Sequence, residues 1–522
     1  MIYRTCILKT NTNKKTTMKR ILYFLFLLPL GMSAQNMYDV APFFGNDLVG
    51  TARFIGMGGS MSALGADLST MGTNPAGMAM YRSNDFSFTA ALDVNSNKAL
   101  YEGSKSSMVG ANAYIGNTSF VIASEREDSD LKFLNFGFGY RRKNNLSGAF
   151  DMYGASNSYS QQYVFENLYN SKPFDYLNIK SSMYDTFSYS WLPLFAADAG
   201  LYDETGENFI TYPDTALVWY PDELAFYEET RGGVHAIDFN LSANLNDRVY
   251  LGATMSVSVV DYNRYSEYRE IGSNNDIYIL ENNQYLSGTG FDIKLGTIFR
   301  PFKYSPFKVG LALHTPTWYS LNQRSSASIL GPSGIRYSTT DKELYDGVLS
   351  VSSTLKTPWR VNASMGYTFG TYLALNAEYE YVNYAKNRFI GNGQLVKAQN
   401  EEIGCNMQAQ HTVRVGAEVN ISGFAVRAGY NYITAPFVQG AYKELYNAAV
   451  TETSTDYMNR FGKNVATLGF GYRGSLCYWD FAYKLDIQKS EFYPFYDYDF
   501  VNPGAAVREM NHSIVATVGL RL

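Results

Sequence analysis

The sequence predicts an all-β protein, a transmembrane antiparallel β-barrel of about 14 strands (14–16) whose N-terminal segment forms a hatch, or plug, in the lumen. Composition, the periodicity of the apolar runs and the lengths of the connections predict it. Among 522 residues there are 44 Tyr, 33 Phe and 44 Gly, and only 17% are charged. A barrel wall needs this mixture, because alternate residues face lipid and a polar lumen, and aromatic residues collect at the membrane interfaces.

The chain begins with a segment typical of an exported protein. Residues 18–20 (MKR) are basic, residues 21–30 (ILYFLFLLPL) are apolar, and residues 31–34 (GMSA) are small. Ten apolar residues are too few to span a bilayer as a helix, which takes about 20. We therefore expect a signal peptide over residues 1–34, with Met18 as its start, and location in the bacterial outer membrane.

Short runs of alternating hydrophobicity recur from residue 85 to the last residue. Examples are DFSFTAALDV (85–94), LNFGFGYRRK (134–143) and HSIVATVGLRL (512–522). A period of two over about ten residues is the signal of a barrel strand, weak in one segment and convincing when repeated. Residues 85–522 are therefore assigned to a multi-pass barrel.

The connections between these runs alternate in length, as up-and-down strands require when turns lie at one rim and loops at the other. Tight turns are predicted at 143–145, 246–247, 300–305, 370–371, 422–423 and 474–475, and long connections at 154–234, 263–286, 316–356, 385–410, 434–463 and 488–510. The strand count stays open because residues 109–125 read either as one kinked strand or as a hairpin about Gly116 and Asn117.

The segment before the first strand is predicted to fill the lumen. A 14-stranded ring is too wide for its own side chains to fill. Residues 35–84 lack strand alternation and are rich in glycine, including Gly58 and Gly59. Asn74 and Pro75 have the order of a helix start, with Asn as the N-cap and Pro at the first helical position. A periplasmic extension outside the barrel is the alternative interpretation.

Residues 50–82 (GTARFIGMGGSMSALGADLSTMGTNPAGMAMYR) resemble the N-terminal hatch of the FadL/TodX family of outer-membrane transporters. The matching features are a Gly/Ala-rich run, the acidic Asp67, and the motif Asn74, Pro75, Ala76 and Gly77 before the first strand. HTPTWYSL (314–321) and residues 357–384 are similar to later segments of the same family.

The resemblance implies a function. It implies passive uptake of hydrophobic small molecules, such as long-chain fatty acids, through a plugged barrel with an apolar pocket and a lateral exit. Outer-membrane lipid and lipopolysaccharide are implied partners, and we expect a monomer. Two alternatives stay open, an adaptor or shuttle for secreted proteins and a haem-binding receptor.

Four residues of the barrel are candidate functional residues. Gly116 and Asn117 are the candidates for a strand irregularity at the lateral exit, since glycine inside a strand marks a bulge or a close approach. Trp318 and Tyr319 are candidate ligand contacts, while an aromatic girdle at the membrane interface is the favoured interpretation of Trp318.

The remaining chemistry-bearing residues predict neither an enzyme nor a cofactor site. The four histidines are expected near strand ends and lack the spacing of metal ligands. Of the three cysteines, Cys6 falls in the signal segment, while Cys405 and Cys477 are expected at opposite rims, so no disulfide is expected. A net charge of −5 without a basic cluster argues against nucleic acid as a partner.

Overall fold

A computed structural model describes residues 36–43, 45, 47–126, 130–157, 159–174, 189–199, 221–272, 277–331, 334, 336–340, 349–446, 452–496 and 503–522. The expected signal peptide, residues 1–34, lies outside the described residues. The described chain is mostly β, and its strands form one closed antiparallel barrel.

The barrel has 14 strands, numbered here in chain order, and four of them are interrupted by a few residues. They are β1 (Asp85–Tyr101), β2 (Ser104–Glu125), β3 (Leu131–Asn145, then Gly148–Ala155), β4 (Pro221–Leu245), β5 (Val249–Gly272), β6 (Ile277–Phe299), β7 (Lys308–His314, then Trp318–Leu330), β8 (Leu349–Lys356, then Arg360–Phe369), β9 (Leu373–Asn383, then Arg388–Phe389), β10 (Ala409–Ile421), β11 (Phe424–Ile433), β12 (Tyr457–Arg473), β13 (Cys477–Tyr493) and β14 (Ala505–Arg521). A short strand, Arg336–Ser338, pairs back onto the end of β7.

Consecutive strands pair, and β14 pairs with β1 from Arg521 opposite Asp85 to Ala506 opposite Leu100, which closes the ring. The predicted fold class is therefore confirmed, and the open strand count is settled at 14. Residues 109–125 belong to the single strand β2 rather than to a hairpin.

The helices are short and lie in the lumen or at the long-loop rim. They are α1 (Met37–Val40), α2 (Ala52–Gly56), α3 (Gln162–Ser171), α4 (Trp191–Asp198) and α5 (Gln394–Asn406), with 3₁₀ turns at Ala41–Phe43, Leu68–Gly72, Pro75–Met80 and Tyr384–Lys386. Within the described ranges, none of these helices has the length and apolarity needed to cross a membrane.

The exterior of the wall is apolar near the short-turn rim and polar near the long-loop rim. Exposed apolar side chains include Leu295, Phe369, Val426, Leu468 and Val518. They alternate with buried polar groups that point into the barrel, as the period of two requires. The exterior is therefore shaped for lipid and the interior for polar contacts.

Several predicted strand ends are wrong. The connection expected at 263–286 does not exist at that length, since β5 runs to Gly272 and β6 begins at Ile277. The connections expected at 154–234 and 488–510 are shortened in the same way, because β4 begins at Pro221 and β13 ends at Tyr493. Beyond the membrane band the outward face is polar, so alternation disappears although the strand ladder continues.

The tight turn expected at 143–145 is also wrong. These residues end the first part of β3, and the strand resumes at Gly148. The polar run RRKNN resembles a turn in sequence, but its side chains serve the barrel interior: Asn144 Nδ2 donates to the Pro42 carbonyl at 3.1 Å. The other five tight turns lie at the same rim, between consecutive strands.

The described parts of the loop between β3 and β4 pack over the barrel mouth. α3 and α4 contribute Phe165, Trp191 and Phe195, all fully buried, to one apolar cluster with Phe226 of β4 and Phe492 of β13. This burial stabilises the loop on the mouth of the barrel.

Candidate functional site

The hatch lies inside the ring and is held together by its own caps. Thr51 caps α2, with its Oγ1 accepting from Phe54 N at 3.1 Å, and it also donates to the Asp67 carboxylate at 2.8 Å. Asp67 caps the next turn by accepting from Ser69 N at 2.9 Å. The acidic residue of the sequence motif thus joins two turns of the hatch.

The Asn-Pro-Ala-Gly motif begins the last turn of the hatch and docks on the wall. The Asn74 side chain accepts from Ala76 N at 3.2 Å and donates to the Ser62 carbonyl at 2.8 Å and the Thr297 carbonyl of β6 at 3.3 Å. Pro75 occupies the first position of the turn. Gly77 packs against Thr70, where an added Cβ would overlap the Thr side chain.

The wall facing the hatch is a belt of inward glycines. At Gly429 and Gly416, an added Cβ would overlap the backbone of Gly58 and Met57. The main chain of the wall therefore contacts the main chain of the hatch directly. Gly58 and Gly59 have φ of +65° and +72°, a backbone region that favours glycine. The other belt residues that contact the hatch are Gly137, Gly139, Gly252, Gly296, Gly310, Gly366 and Gly469.

Wall side chains complete the seating of the hatch. Arg53 of α2 pairs with Glu418 at 2.9 Å, and Arg427 pairs with Glu418 and with Asp480, both at 2.6 Å. Asn135 Nδ2 donates to the Met78 and Tyr81 carbonyls at 2.8 and 2.9 Å. These contacts fix the hatch across the lumen at the level of the glycine belt.

We predict that Asn74→Ala weakens hatch seating without preventing barrel assembly. The substitution removes an N-cap, which is worth about 1 kcal/mol, and two contacts to carbonyl oxygens. We expect more frequent open-channel events in planar bilayers with unchanged heat-modifiable migration on gels. Asn322→Ala, which loses contacts to Ser352 and Ser350 on another part of the wall, is the control. Loss of the folded band in Asn74→Ala alone would contradict a separable hatch.

Above the hatch, the lumen contains a cavity of about 380 Å³. Aromatic side chains line it together with charged ones, and each lining Arg or Lys has a carboxylate within 4 Å, as in Arg264 with Glu228 (2.7 Å) and Lys463 with Asp486 (3.3 Å). The cavity is thus amphipathic and charge-paired, unlike the apolar pocket that the resemblance implies.

The β2–β3 ladder ends beside this cavity. It joins Asn117 to Arg141 and continues towards the short-turn rim as far as Glu125 and Phe133. Among the described residues, the stretch 104–116 of β2 has ladder partners in β1 but none in β3. Gly116 is skipped in the β1 register, since Thr89 pairs with Asn117 and Ala90 with Ile115, which makes it a β-bulge.

The second part of β3 turns inward instead of continuing along β2. Asn95 and Asn97, on the inner face of β1, donate to the carbonyls of Ser147 and Ala149 at 3.1 and 2.6 Å. Among the described residues, side chains make the hydrogen bonds across the resulting slit, for example Asn112 Nδ2 donating to Asn145 Oδ1 at 3.1 Å and Ser106 Oγ donating to the Asp151 carbonyl at 2.8 Å. We call this break, between residues 104–116 of β2 and residues 142–155 of β3, the β2–β3 slit.

Trp318 and Tyr319 lie on opposite faces of β7. Trp318 is 44% exposed on the exterior, with the Lys356 ammonium 5.8 Å from its ring centre. Tyr319 is buried in the lumen, where its hydroxyl accepts from Lys143 Nζ at 2.9 Å. Of the two candidate ligand contacts, only Tyr319 therefore faces the interior.

Three of the four histidines each pair with a tyrosine on the exterior of the barrel. Nδ1 of His235, His411 and His512 lies 2.7 Å from the hydroxyl of Tyr140, Tyr379 and Tyr483, respectively. His235 and His512 lie within long strands, so the expectation of strand ends is wrong for them. The fourth, His314, hydrogen-bonds the Thr73 carbonyl of the hatch at 2.6 Å.

The N-terminal segment reaches the long-loop rim. Asn36 Nδ2 donates to the Glu444 carbonyl at 3.1 Å, and Tyr38 stacks on Phe437 with ring centres 5.2 Å apart. Nearby, Glu402 of α5 accepts from Glu444 N at 3.2 Å through one oxygen, and its other oxygen has no partner among the described residues. Burial raises the pKa of Glu402 to about 8.

We predict that this contact loosens as the pH rises. A carboxyl pKa raised by folding stabilises the folded state below the ordinary value near 4.5, and the contribution is lost as the pH rises through about 8. Hydrogen exchange of residues 36–43 should be faster, relative to the intrinsic rate, at pH 9 than at pH 6. Glu402→Gln should reduce this difference. Burial also raises the pKa of Glu452, which interacts with Asp39, to about 8, so Glu452 is expected to account for the remainder. Equal protection at both pH values in the unmodified protein would contradict the prediction.

Comparison with known proteins identifies the fold. No family model and no curated protein matches the sequence. Among solved structures, the Pseudomonas putida toluene transporter TodX aligns with a TM-score of 0.52 at 12% identity, over 91% of this chain and 99% of that one. A Pseudomonas aeruginosa FadL homologue aligns with a TM-score of 0.51 at 12% identity and the same coverage.

The plugged 14-stranded ring defines a class of outer-membrane β-barrel with a lumenal hatch. Within that class, the chain has the fold of the FadL and TodX channels, and the resemblance seen in the hatch motif is confirmed at the level of the fold. The glycine belt and the Arg53–Glu418 pair could not be read from the sequence, because their partners lie hundreds of residues apart. The slit could not be read from it because it depends on where the β2–β3 ladder ends.

Proposed function

We propose that this protein is an outer-membrane channel for passive import of hydrophobic small molecules, including long-chain fatty acids. The observation that carries the proposal is the β2–β3 slit, where the backbone ladder of the wall is interrupted beside the cavity above the hatch. A compound that enters from the long-loop side then leaves sideways into the bilayer, with the hatch blocking the direct route.

The energetics suit transient capture of an apolar molecule. Removing each CH₂ group from water is worth about 0.8 kcal/mol, so an acyl chain gains several kcal/mol on entering a site with aromatic walls. The cations that line the cavity are already paired, which leaves the binding moderate and permits release. Gly116 and Asn117 mark the end of the ladder and are our proposed lower boundary of the exit.

The arrangement of the histidines argues against the haem alternative. Three of them face the exterior, and His314 adjoins a cavity of only about 30 Å³. This volume is far smaller than the 300–1,000 Å³ typical of sites for small-molecule cofactors. The adaptor alternative predicts instead that the protein does not change the uptake of apolar compounds.

The test is uptake by Gram-negative cells that lack their own fatty-acid channel. Expression of the full chain should raise the initial uptake of radiolabelled oleate, of toluene, or of both, by about tenfold over cells carrying an empty vector. Measuring uptake of oleate and toluene in parallel shows whether the channel takes up an acidic amphiphile, a neutral arene or both. Unchanged uptake of both, with folded barrel in the outer membrane, would reject the proposal.

A further inference from the structure

Three cations stand side by side on the exterior of the barrel. Arg508 of β14 lies directly opposite Lys98 of β1 on one side and Lys489 of β13 on the other. All three are exposed, and within the described chain none has a carboxylate within 4 Å. Directly opposed residues have Cβ atoms about 5 Å apart, where like charges destabilise the sheet.

Three other exposed cations of the outer half of the barrel have carboxylate partners. Arg231 pairs with Glu229 at 2.6 Å, Arg336 pairs with Glu281 at 2.7 Å, and Arg269 pairs with Glu267. The three cations of the Lys98–Arg508–Lys489 row have no such partner among the described residues, and they are direct neighbours on adjacent strands. Of the nearby carboxylates, Glu509 points to the inner face, where it lies 3.4 Å from Arg460, and Glu491 accepts from the Tyr493 hydroxyl at 3.1 Å.

The height of the row fits the headgroup region. Arg508 lies twelve residues before Leu520, an exposed residue near the short-turn rim. Twelve residues of a strand tilted by 35–45° span about 30 Å along the barrel axis. The apolar band of such barrels is about 25 Å tall. His512 and Tyr483 form an outward-facing pair just below the row. Aromatic rings that carry a polar group are typical of the membrane–water interface.

We propose that the Lys98–Arg508–Lys489 row binds the phosphate groups of the lipid A headgroup of lipopolysaccharide. The inference rests on the proposed placement in the outer membrane and is independent of what the channel carries. Three unpaired cations at headgroup height match a polyanion with closely spaced phosphates, and the guanidinium of Arg508 can engage a phosphate with two hydrogen bonds. Lys105 of β2, one row further out, extends the same positive surface.

The test compares two triple variants of the full chain in detergent. The first is Lys98→Gln, Arg508→Gln and Lys489→Gln, and the matched control is Arg231→Gln, Arg269→Gln and Arg336→Gln, which removes three paired exposed cations. Binding of bisphosphorylated lipid A, of its dephosphorylated form and of phosphatidylglycerol is measured by fluorescence titration and native mass spectrometry. Heat-modifiable migration verifies folding, and Arg508→Gln alone replaces the first variant if the triple variant does not assemble.

We expect the first triple variant, and dephosphorylation of lipid A, each to weaken binding tenfold or more, while the control stays within twofold of the unmodified protein. Equal weakening in both triple variants would overturn the proposal, as would an affinity for phosphatidylglycerol equal to that for lipid A. Oleate and toluene uptake by the first variant is measured separately. Loss of lipid A binding with uptake retained supports the site, and failed uptake by the unmodified chain speaks only against the transport proposal.

Discussion

Deleting residues 36–82 is expected to convert the barrel into an open pore, with stable conductance steps in planar bilayers where the full chain gives none. The deleted segment contains the turns that dock on the glycine belt, and a 14-stranded ring cannot fill its lumen with its own side chains. The buried charges of the wall that face the deleted segment keep partners, because Glu418 retains Arg427 and Lys463 retains Asp486. We therefore expect the empty barrel to fold.

A graded version of the experiment uses the ion cluster. Arg53→Met removes the hatch cation from Glu418, a pair that is largely buried. Glu418 keeps its contact with Arg427, so the expected cost is that of the lost charged hydrogen bonds, about 1.5–3 kcal/mol. The substitution should produce intermittent openings. Arg82→Met is the matched control, since Arg82 is mostly exposed beside Asp247 and such pairs are worth at most about 1 kcal/mol. A folded deletion variant that remains silent in bilayers would show that the hatch does not occlude the lumen.

Features that depend on neighbouring residues can be predicted from the sequence, whereas contacts between distant segments cannot. The alternation in β1 or β14 is local, and so is the cap at Asn74, so a single sequence is enough to predict them. The contact of Gly58 with Gly429 joins segments more than 370 residues apart, and only the complete pairing register brings them together. The glycines of the hatch indicate one side of such a contact, but they do not indicate which wall residues form the other side.

The errors in β5 and β6 have a different cause. Their outer parts carry polar residues on both faces, such as Glu267 and Arg269 on the outside and Glu270 on the inside. The backbone ladder does not depend on apolar side chains, so the strands continue where no lipid selects the alternation. Beyond the membrane, the length of a strand is therefore set by its pairing with the neighbouring strand, which the amino-acid composition does not reveal.

Closing the β2–β3 slit covalently is expected to reduce uptake of the imported compound by about tenfold or more. The side chains of Asn112 and Asn145 meet across the slit at 3.1 Å. In a background with Cys405 and Cys477, both exposed and free, replaced by Ser, Asn112→Cys and Asn145→Cys are joined by a short bis-methanethiosulfonate reagent. Initial uptake of radiolabelled oleate or toluene is then measured in cells before crosslinking, after crosslinking and after reduction.

The control joins two strands that are already paired. Ala417 of β10 lies directly opposite Ala428 of β11 on the exterior, so Ala417→Cys with Ala428→Cys places the same reagent on a wall with a complete ladder. Reduction should restore uptake in the slit variant and change nothing in the control. If crosslinking the slit left uptake intact, the molecule would have to leave through the hatch. That route predicts instead that fixing the hatch to the wall blocks transport, so the same assay distinguishes the two exits.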